Sequence, residues 1–201
     1  SPWQRWSITA YSDFAYFAWP KYLTKESTQS WDNMVSLLFQ PSHGLTLGGR
    51  MRYKQKAGVT TERLRLYTSM VGNCWNVRTS FDYTMSDKSG RSQGWMLCEN
   101  MGYQWRWLRL SGTFAYFHTQ DYDSRIYAYE PGLLYQMNFG CYFGEGIRYA
   151  LVVRSEIGEH LLLIAKLGTT DYFDRNHISS GLQEIAQSSQ TDLEIQVKWK
   201  W

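Results

Sequence analysis

The chain has 201 residues and a formal net charge of +3 at pH 7, and aromatic side chains make up 17% of it, with 10 Trp and 15 Tyr. This length suits one β-barrel or one large soluble β domain, and so small a net charge gives no argument for a nucleic-acid partner. No apolar run reaches the ~18 residues that a transmembrane helix requires, which excludes a helical membrane span.

The segments that alternate apolar and polar residues follow one another along the whole chain, as expected where successive side chains of a strand point to opposite faces. Eleven such segments are predicted: 6–19, 33–40, 45–56, 61–71, 74–86, 93–105, 106–118, 125–139, 146–156, 160–170 and 191–201. Pro131 lacks a backbone donor, so a bulge or break is expected there, and splitting the run gives twelve strands.

The predicted connections are alternately short and long. The short ones are 41–44, 72–73 and 157–159, and the longer ones are 24–32, 87–92 and 171–190. Bacterial membrane barrels alternate short periplasmic turns with longer external loops. The order of connections therefore favours an antiparallel up-and-down transmembrane β-barrel of about 10–12 strands, spanning residues 1–201 or forming part of a larger barrel.

Each strand is predicted to turn its apolar row to lipid and its polar row to the barrel interior. The predicted lipid-facing residues are Leu64, Leu66, Val77, Phe81, Leu108, Leu110, Leu151, Val153, Leu161, Leu163, Leu193, Ile195, Val197, Trp199 and Trp201. The predicted lumen-facing residues are Arg50, Arg52, Arg63, Arg65, Arg78, Asp82, Arg109, Arg148, Arg154, Lys166, Asp192, Glu194 and Lys198.

Alternation alone is also compatible with a soluble β-sandwich, which would bury the apolar rows. Three features favour the membrane. The polar rows hold arginines and carboxylates that can pair across strands, and the segments of about 10–13 residues exceed the ~5–6 typical of soluble sheets. Tryptophans gather at segment ends, where their amphipathic rings suit the lipid headgroups. They are Trp6, Trp19, Trp75, Trp105, Trp107, Trp199 and Trp201.

The cysteines and the N-terminus give little information about function. Cys74, Cys98 and Cys141 lack metal-ligand spacing, and their odd number indicates no disulfide framework. No metal or cofactor is predicted. The first residues, 1–6, do not form a signal peptide, which an exported protein needs. The sequence is therefore expected to be either a mature chain or, preferably, a fragment that lacks an upstream region.

Several strings are distinctive: Asp121–Glu130 (DYDSRIYAYE), Gly146–Tyr149 (GIRY), Ile178–Ile185 (ISSGLQEI), then TDL at 191–193 and QVKW at 196–199. In this order they resemble the C-terminal region of Bacteroidota outer-membrane proteins that carry helix-hairpin-helix repeats before a β-barrel. Pro131 departs from that family, where a polar residue usually follows the first string. The resemblance implies an outer-membrane barrel, with any DNA contact made through an N-terminal domain absent here.

Catalytic and metal sites are weakly indicated. His118 and Asp121 offer a base beside a carboxylate, but no nucleophile of known spacing accompanies them. Asp121, Asp123 and Glu130 offer oxygen ligands for Ca²⁺ without the spacing of an EF-hand. Polar residues at a barrel rim and Asx-type loop capping explain them better, so the chain is expected not to be an enzyme.

The arginine-rich rows are the strongest functional feature, and they have two interpretations. One is an anion-attracting lumen, and the other is an interior filled by arginine–carboxylate and arginine–tyrosine contacts, which small barrels favour. The expected function is an integral outer-membrane anchor or accessory subunit of an envelope complex, with the bilayer and other outer-membrane or periplasmic proteins as partners. A pore or DNA/solute-uptake channel is the alternative, and an outer-membrane hydrolase is the distant third.

Overall fold

A computed structural model describes residues 5–20, 26–88, 90–179, 181–199 and 201. These residues form twelve strands: β1 (Trp6–Phe17), β2 (Thr28–Ser42), β3 (Leu45–Lys56), β4 (Val59–Val71), β5 (Trp75–Asp87), β6 (Arg91–Trp105), β7 (Leu108–Thr119), β8 (Ile126–Tyr129), β9 (Phe139–Tyr142), β10 (Glu145–Ile157), β11 (Leu161–Tyr172) and β12 (Ser189–Trp199). A 3-10 turn also lies at Gly181–Gln183.

Ten of the strands form one antiparallel sheet in the order β1-β2-β3-β4-β5-β6-β7-β10-β11-β12. Every neighbour is the next long strand along the chain, which confirms the predicted all-β, up-and-down arrangement. The outermost strands, β1 and β12, do not pair with each other within the described residues, so closure into a barrel is not seen in this chain.

The strand register separates the residue types onto two faces of the sheet. Arg50 pairs with Arg65 and Lys166 with Glu194, whereas Met51 pairs with Leu64 and Leu167 with Leu193. We call the face that carries the first two pairs the polar face and the opposite one the apolar face. Partners directly opposite in a ladder point the same way, so each row continues from strand to strand across the sheet.

The ends of the sheet also differ. The connections 43–44, 72–74, 106–107 and 158–160 lie at one end, called the short-turn end. The connections 18–27, 57–58, 88–90, 120–144 and 173–188 lie at the other, called the long-loop end. The alternation of short and long connections is thus as predicted, except that 57–58 and 88–90 are short.

The longest connection, residues 120–144, leaves the long-loop end and folds back over the polar face. We call it the insert. It contains the two-stranded sheet of β8 and β9, with Ile126 paired to Tyr142. Arg65 on β4 donates to the carbonyl oxygen of Tyr127 at 3.1 Å, and the backbone amide of Leu134 donates to Gln196 on β12 at 2.9 Å. The insert therefore crosses the polar face from β4 to β12.

Two predicted segments differ from the structure. The run 125–139 is not a wall strand: β8 ends at Tyr129 and a break follows at residues 130–138. Within the insert β8 pairs with β9, which shares only Phe139 with the predicted run. Pro131 lies in that break. The predicted loop 24–32 is also too long, since β2 begins at Thr28 and the prediction for residues 24 and 25 lies outside the described residues. Among the described residues, no helix is long and apolar enough to cross a membrane.

Candidate functional site on the polar face

All thirteen residues predicted to line a lumen lie on the polar face by their strand register. The structure brings most of them into contact with one another or with the insert. It divides them into two groups, because the insert covers the strands from β5 to β11 and leaves most of β1–β4 open.

A buried ionic cluster fixes the insert to the sheet. Glu130 accepts two hydrogen bonds from the Arg148 guanidinium, both of 2.9 Å, and the Lys166 ammonium lies 2.7 Å from its Oε1. All three side chains are buried. Asp192 lies 3.5 Å from Arg148, and Glu194 lies 3.9 Å from Lys166. Buried charges are tolerated only when paired, so this cluster makes the position of the insert specific.

A glycine makes room for that cluster. A Cβ atom on Gly168 of β11 would collide with the guanidinium of Arg148 on β10. Arg148 is the cross-strand neighbour of Thr170, which is also on β11. Arg148 also donates to the hydroxyl of Thr170 at 3.2 Å. The missing side chain at position 168 therefore lets Arg148 lie flat on the sheet and reach Glu130.

Apolar residues on the polar face pack under the insert, and sequence patterning missed them. Met96, Ala115 and Phe117 of the sheet meet Ile126 and Tyr142 of the insert in one cluster, with Cys98 and Ala128. Phe117 and Met96 are fully buried. These positions lie on the face that was predicted to line a polar lumen. The sequence does carry one sign that this part of the face is covered: β6 and β7 have apolar residues at both odd and even positions.

The open part of the face holds arginines of β3 and β4, together with Arg78 at the exposed short-turn part of β5. Arg52 is bound to Asp32, and Arg65 donates to Asp82 at 2.5 Å. Arg78 stacks over the ring of Tyr67, with 4.2 Å between the guanidinium carbon and the ring centroid. The interpretation as an interior of arginine–carboxylate and arginine–tyrosine contacts fits these three residues.

The remaining predicted residues lie towards the short-turn end. Arg109 donates to Gln104 at 2.5 Å, and Arg154 pairs with Glu156 at 2.8 Å. Lys198 donates to the Tyr135 hydroxyl at 2.7 Å.

The fourteen predicted lipid-facing residues from Leu64 to Trp199 lie together on the apolar face by register, and Trp201 follows the last strand. Within the described residues no second sheet covers this face. Leu193, Ile195 and Val197 remain 66%, 63% and 63% exposed. The packing of a soluble β-sandwich, with this row buried, is therefore not what the chain adopts.

Two rows of aromatic rings bound the apolar face. At the short-turn end Trp6 stacks on Phe39, with ring centroids 4.1 Å apart, and Trp105 ends β6. At the long-loop end Trp95 packs against Tyr116, with centroids 5.3 Å apart. Ten residues separate Trp95 from Trp105, which at ~3.4 Å per residue and a tilt of ~40° gives a band ~26 Å tall.

One charged residue interrupts this band. Glu99 of β6 lies on the apolar face between the two aromatic rows, opposite Thr79 on one side and Phe114 on the other. The other acidic and basic residues of this face lie near the long-loop end within the described strands. Glu99 therefore places a carboxylate within the otherwise apolar band of this face.

The two weaker predicted sites are not assembled. His118 faces Glu145 at 3.5 Å on the apolar side, whereas Asp121 accepts a 2.6 Å hydrogen bond from Ser92 in the loop. Asp123 pairs with Lys88, and Glu130 belongs to the ionic cluster. In the described part of the chain, no group of three or more His, Cys, Asp or Glu side chains is placed to hold a metal ion.

The loop carboxylate of Asp121 instead organises its own turn. Besides Ser92, the backbone amides of Asp123 and Ser124 donate to its Oδ1. The hydroxyl of Ser92, followed by these amides, holds the pKa of Asp121 below its usual value, because all three donors favour the charged form.

Comparison with solved structures finds a likeness in overall fold. The chain is similar to a solved structure described as "Copper transporter OprC", with a TM-score of 0.44 and 11% sequence identity. The likeness covers 94% of this chain and 37% of that one, so the chain spans little more than a third of its length. No family model and no curated protein matches the sequence. The resemblance to helix-hairpin-helix outer-membrane proteins therefore stays a prediction.

Proposed function

We propose that this chain is a wall segment of an integral outer-membrane β-barrel, which serves as a membrane anchor or accessory subunit of an envelope complex. The observation that supports this most strongly is the uncovered apolar face between two aromatic rows. A continuous exposed apolar surface of this width is far larger than soluble monomers carry. Its height of ~26 Å matches the ~25 Å apolar band of outer-membrane barrels.

The proposal includes completion of the wall by further strands. Both β1 and β12 leave an unpaired edge among the described residues. Unpaired backbone groups in hydrocarbon cost several kcal/mol each, so neither edge is stable in a bilayer without a neighbour. Strands from elsewhere in the same protein, or from a second protein, would supply that neighbour.

An anchoring role is favoured over a pore because the insert occupies the polar face. It crosses from β4 to β12, and the cluster of Glu130, Arg148 and Lys166 fixes it there. Glu99 supports a role beside another protein, since a carboxylate within a lipid-facing band is expensive unless a partner pairs with it. The proposal assigns no DNA contact and no catalytic reaction to these residues.

A channel is the second candidate, and one cavity favours it. A space of about 660 Å³ lies between the insert and the short-turn end of the sheet, lined by Asn76, Arg109, Arg154 and neighbours from residues 131–138. If this space continues through the completed barrel, it would admit small anions past the arginines.

Two measurements test the proposal. Quenching of tryptophan fluorescence by lipids brominated on their acyl chains should be strong for the reconstituted protein, and a protein that remains monomeric in water without detergent would contradict the membrane assignment. Planar-bilayer recording should show no stable open current from an anchor. A stable open current would favour the channel.

A further inference from the structure

The open part of the polar face carries two arginine pairs set directly opposite each other. Arg50 on β3 is opposite Arg65 on β4, and Arg52 is opposite Arg63. Like charges in such positions destabilise a sheet unless something neutralises them. Asp32 binds Arg52 and Asp82 binds Arg65. The described residues give Arg50 and Arg63 no carboxylate partner.

These guanidinium groups line a small cavity. It measures about 150 Å³, and its walls are Arg50, Arg52, Arg63, Arg65, Asp82, Thr84, Ile126 and Tyr127. The last two residues belong to the insert, which closes one side. A space of this size accommodates a small oxyanion with some water, but not an oligosaccharide or a nucleic-acid strand.

Asp82 adds a second requirement at the same place. Its Oδ1 accepts the hydrogen bond from Arg65, but its Oδ2 is buried and has no hydrogen-bond partner. The residue as a whole is only 6% exposed. Leaving a buried carboxylate oxygen without a hydrogen bond is costly. A ligand in this cavity would therefore be favoured if it donated a hydrogen bond to Oδ2 of Asp82 as well as carrying negative charge for the arginines.

We propose that this cavity is a binding site for inorganic phosphate in its hydrogen phosphate form. Arg50 and Arg63 have no carboxylate partner among the described residues, and Arg63 makes only a 5.9 Å cation–π contact with Tyr127 of the insert. Their two guanidinium groups match the two negative charges of that anion, and arginine suits oxyanions because its N–H groups form a planar fork. The remaining O–H of the anion donates to Oδ2 of Asp82. Sulfate has the same charge and shape but no proton at neutral pH, so it would set an oxygen against that carboxylate.

The site rests on the proposed orientation, since the polar face must be open to water in the inserted protein. Its test is titration calorimetry of the detergent-solubilised protein at about pH 8 with phosphate, sulfate and methyl phosphate, whose dianion carries no proton at that pH. Phosphate should bind about tenfold or more tightly than either of the others, as one charge-assisted hydrogen bond provides. Equal binding of the three anions, or no binding of phosphate, would overturn the proposal.

Variants locate the site. Arg63→Gln and Arg50→Gln should each weaken phosphate binding about tenfold or more, and Arg106→Gln, in the exposed 106–107 connection at the short-turn end, should leave it unchanged. Asp82→Asn should bring sulfate within a few-fold of phosphate. That substitution also disturbs Arg65, whereas Arg50→Gln breaks no ion pair. Unchanged phosphate affinity in the Arg50→Gln variant would therefore reject the site.

Failure of this site and failure of the membrane assignment are separable. Brominated-lipid quenching reports the orientation of the sheet without reference to any anion. Strong quenching with no preference for phosphate would reject the site alone.

Discussion

The polar face has two halves that obey the same alternation and are stabilised differently. The open half, on β1–β4, carries charged and hydroxyl side chains that remain accessible. The covered half, on β5–β7, β10 and β11, carries small or apolar residues such as Ala115, Ala150 and Val152, all at most 8% exposed beneath the insert. A strand facing water on one side needs one apolar row, whereas a strand covered on both sides needs two.

The strongest way to break the covered half is to remove its ionic anchor. Glu130→Gln removes the carboxylate that pairs with the buried Arg148 and Lys166. Loss of one partner from a buried ion pair costs about 3–5 kcal/mol. We expect the free energy of unfolding to fall by that amount, and proteolysis within the insert to become faster. The matched control is Glu156→Gln, whose exposed pair with Arg154 should contribute less than about 1 kcal/mol. Equal effects of the two changes would contradict the anchor.

Packing gives the next largest difference between the halves. Met96 and Met34 both point to the polar face, but Met96 is fully buried under the insert and Met34 lies partly exposed on the open half. Met96→Ala should cost about 2–5 kcal/mol, and Met34→Ala should cost less than about 1 kcal/mol. Urea unfolding in detergent measures both, and similar values would mean that the insert leaves the face in solution.

The opposite face of the open half gives a third contrast. Leu66→Arg places a charge within the apolar band, which should cost about 2–4 kcal/mol if lipid covers it. Ser7→Arg adds the same side chain to the polar face of β1, where the effect should stay within about 0.5 kcal/mol. Refolding into bilayers measures the difference, and two equally small effects would argue against lipid contact at Leu66.

A smaller effect concerns the loop that opens the insert. The pKa of Asp121 is lowered in the folded protein, so its hydrogen bonds stabilise the loop above the ordinary carboxyl pKa and are lost as pH falls through the folded value. Protection of the Asp123 and Ser124 amides from exchange, measured relative to their intrinsic exchange rates, should fall on acidification below about pH 4. In Asp121→Asn that fall in protection should disappear, and an unchanged pH profile would count against the carboxylate.

The sequence predicted the sheet better than it predicted the site. Ten strands and their two faces follow from period-two alternation, because either the odd or the even positions of each strand are mainly apolar. The insert did not follow. The run around Pro131 looked like another wall strand, and only the pairing of β8 with β9 takes it out of the sheet. The ionic cluster could not be predicted from the sequence either, because Glu130 and Lys166 are 36 positions apart and come together only in the folded chain.

The central claim is that lipid covers the apolar face and water reaches the polar one. Spin labels at Val35→Cys and Ser36→Cys test it on adjacent residues of β2 in the open half, after replacement of the exposed Cys74 and Cys141. In bilayers, the label at 35 should collide mainly with oxygen and the label at 36 mainly with a water-soluble nickel complex. The reverse pattern, or a label at 35 shielded from both reagents, would contradict the account.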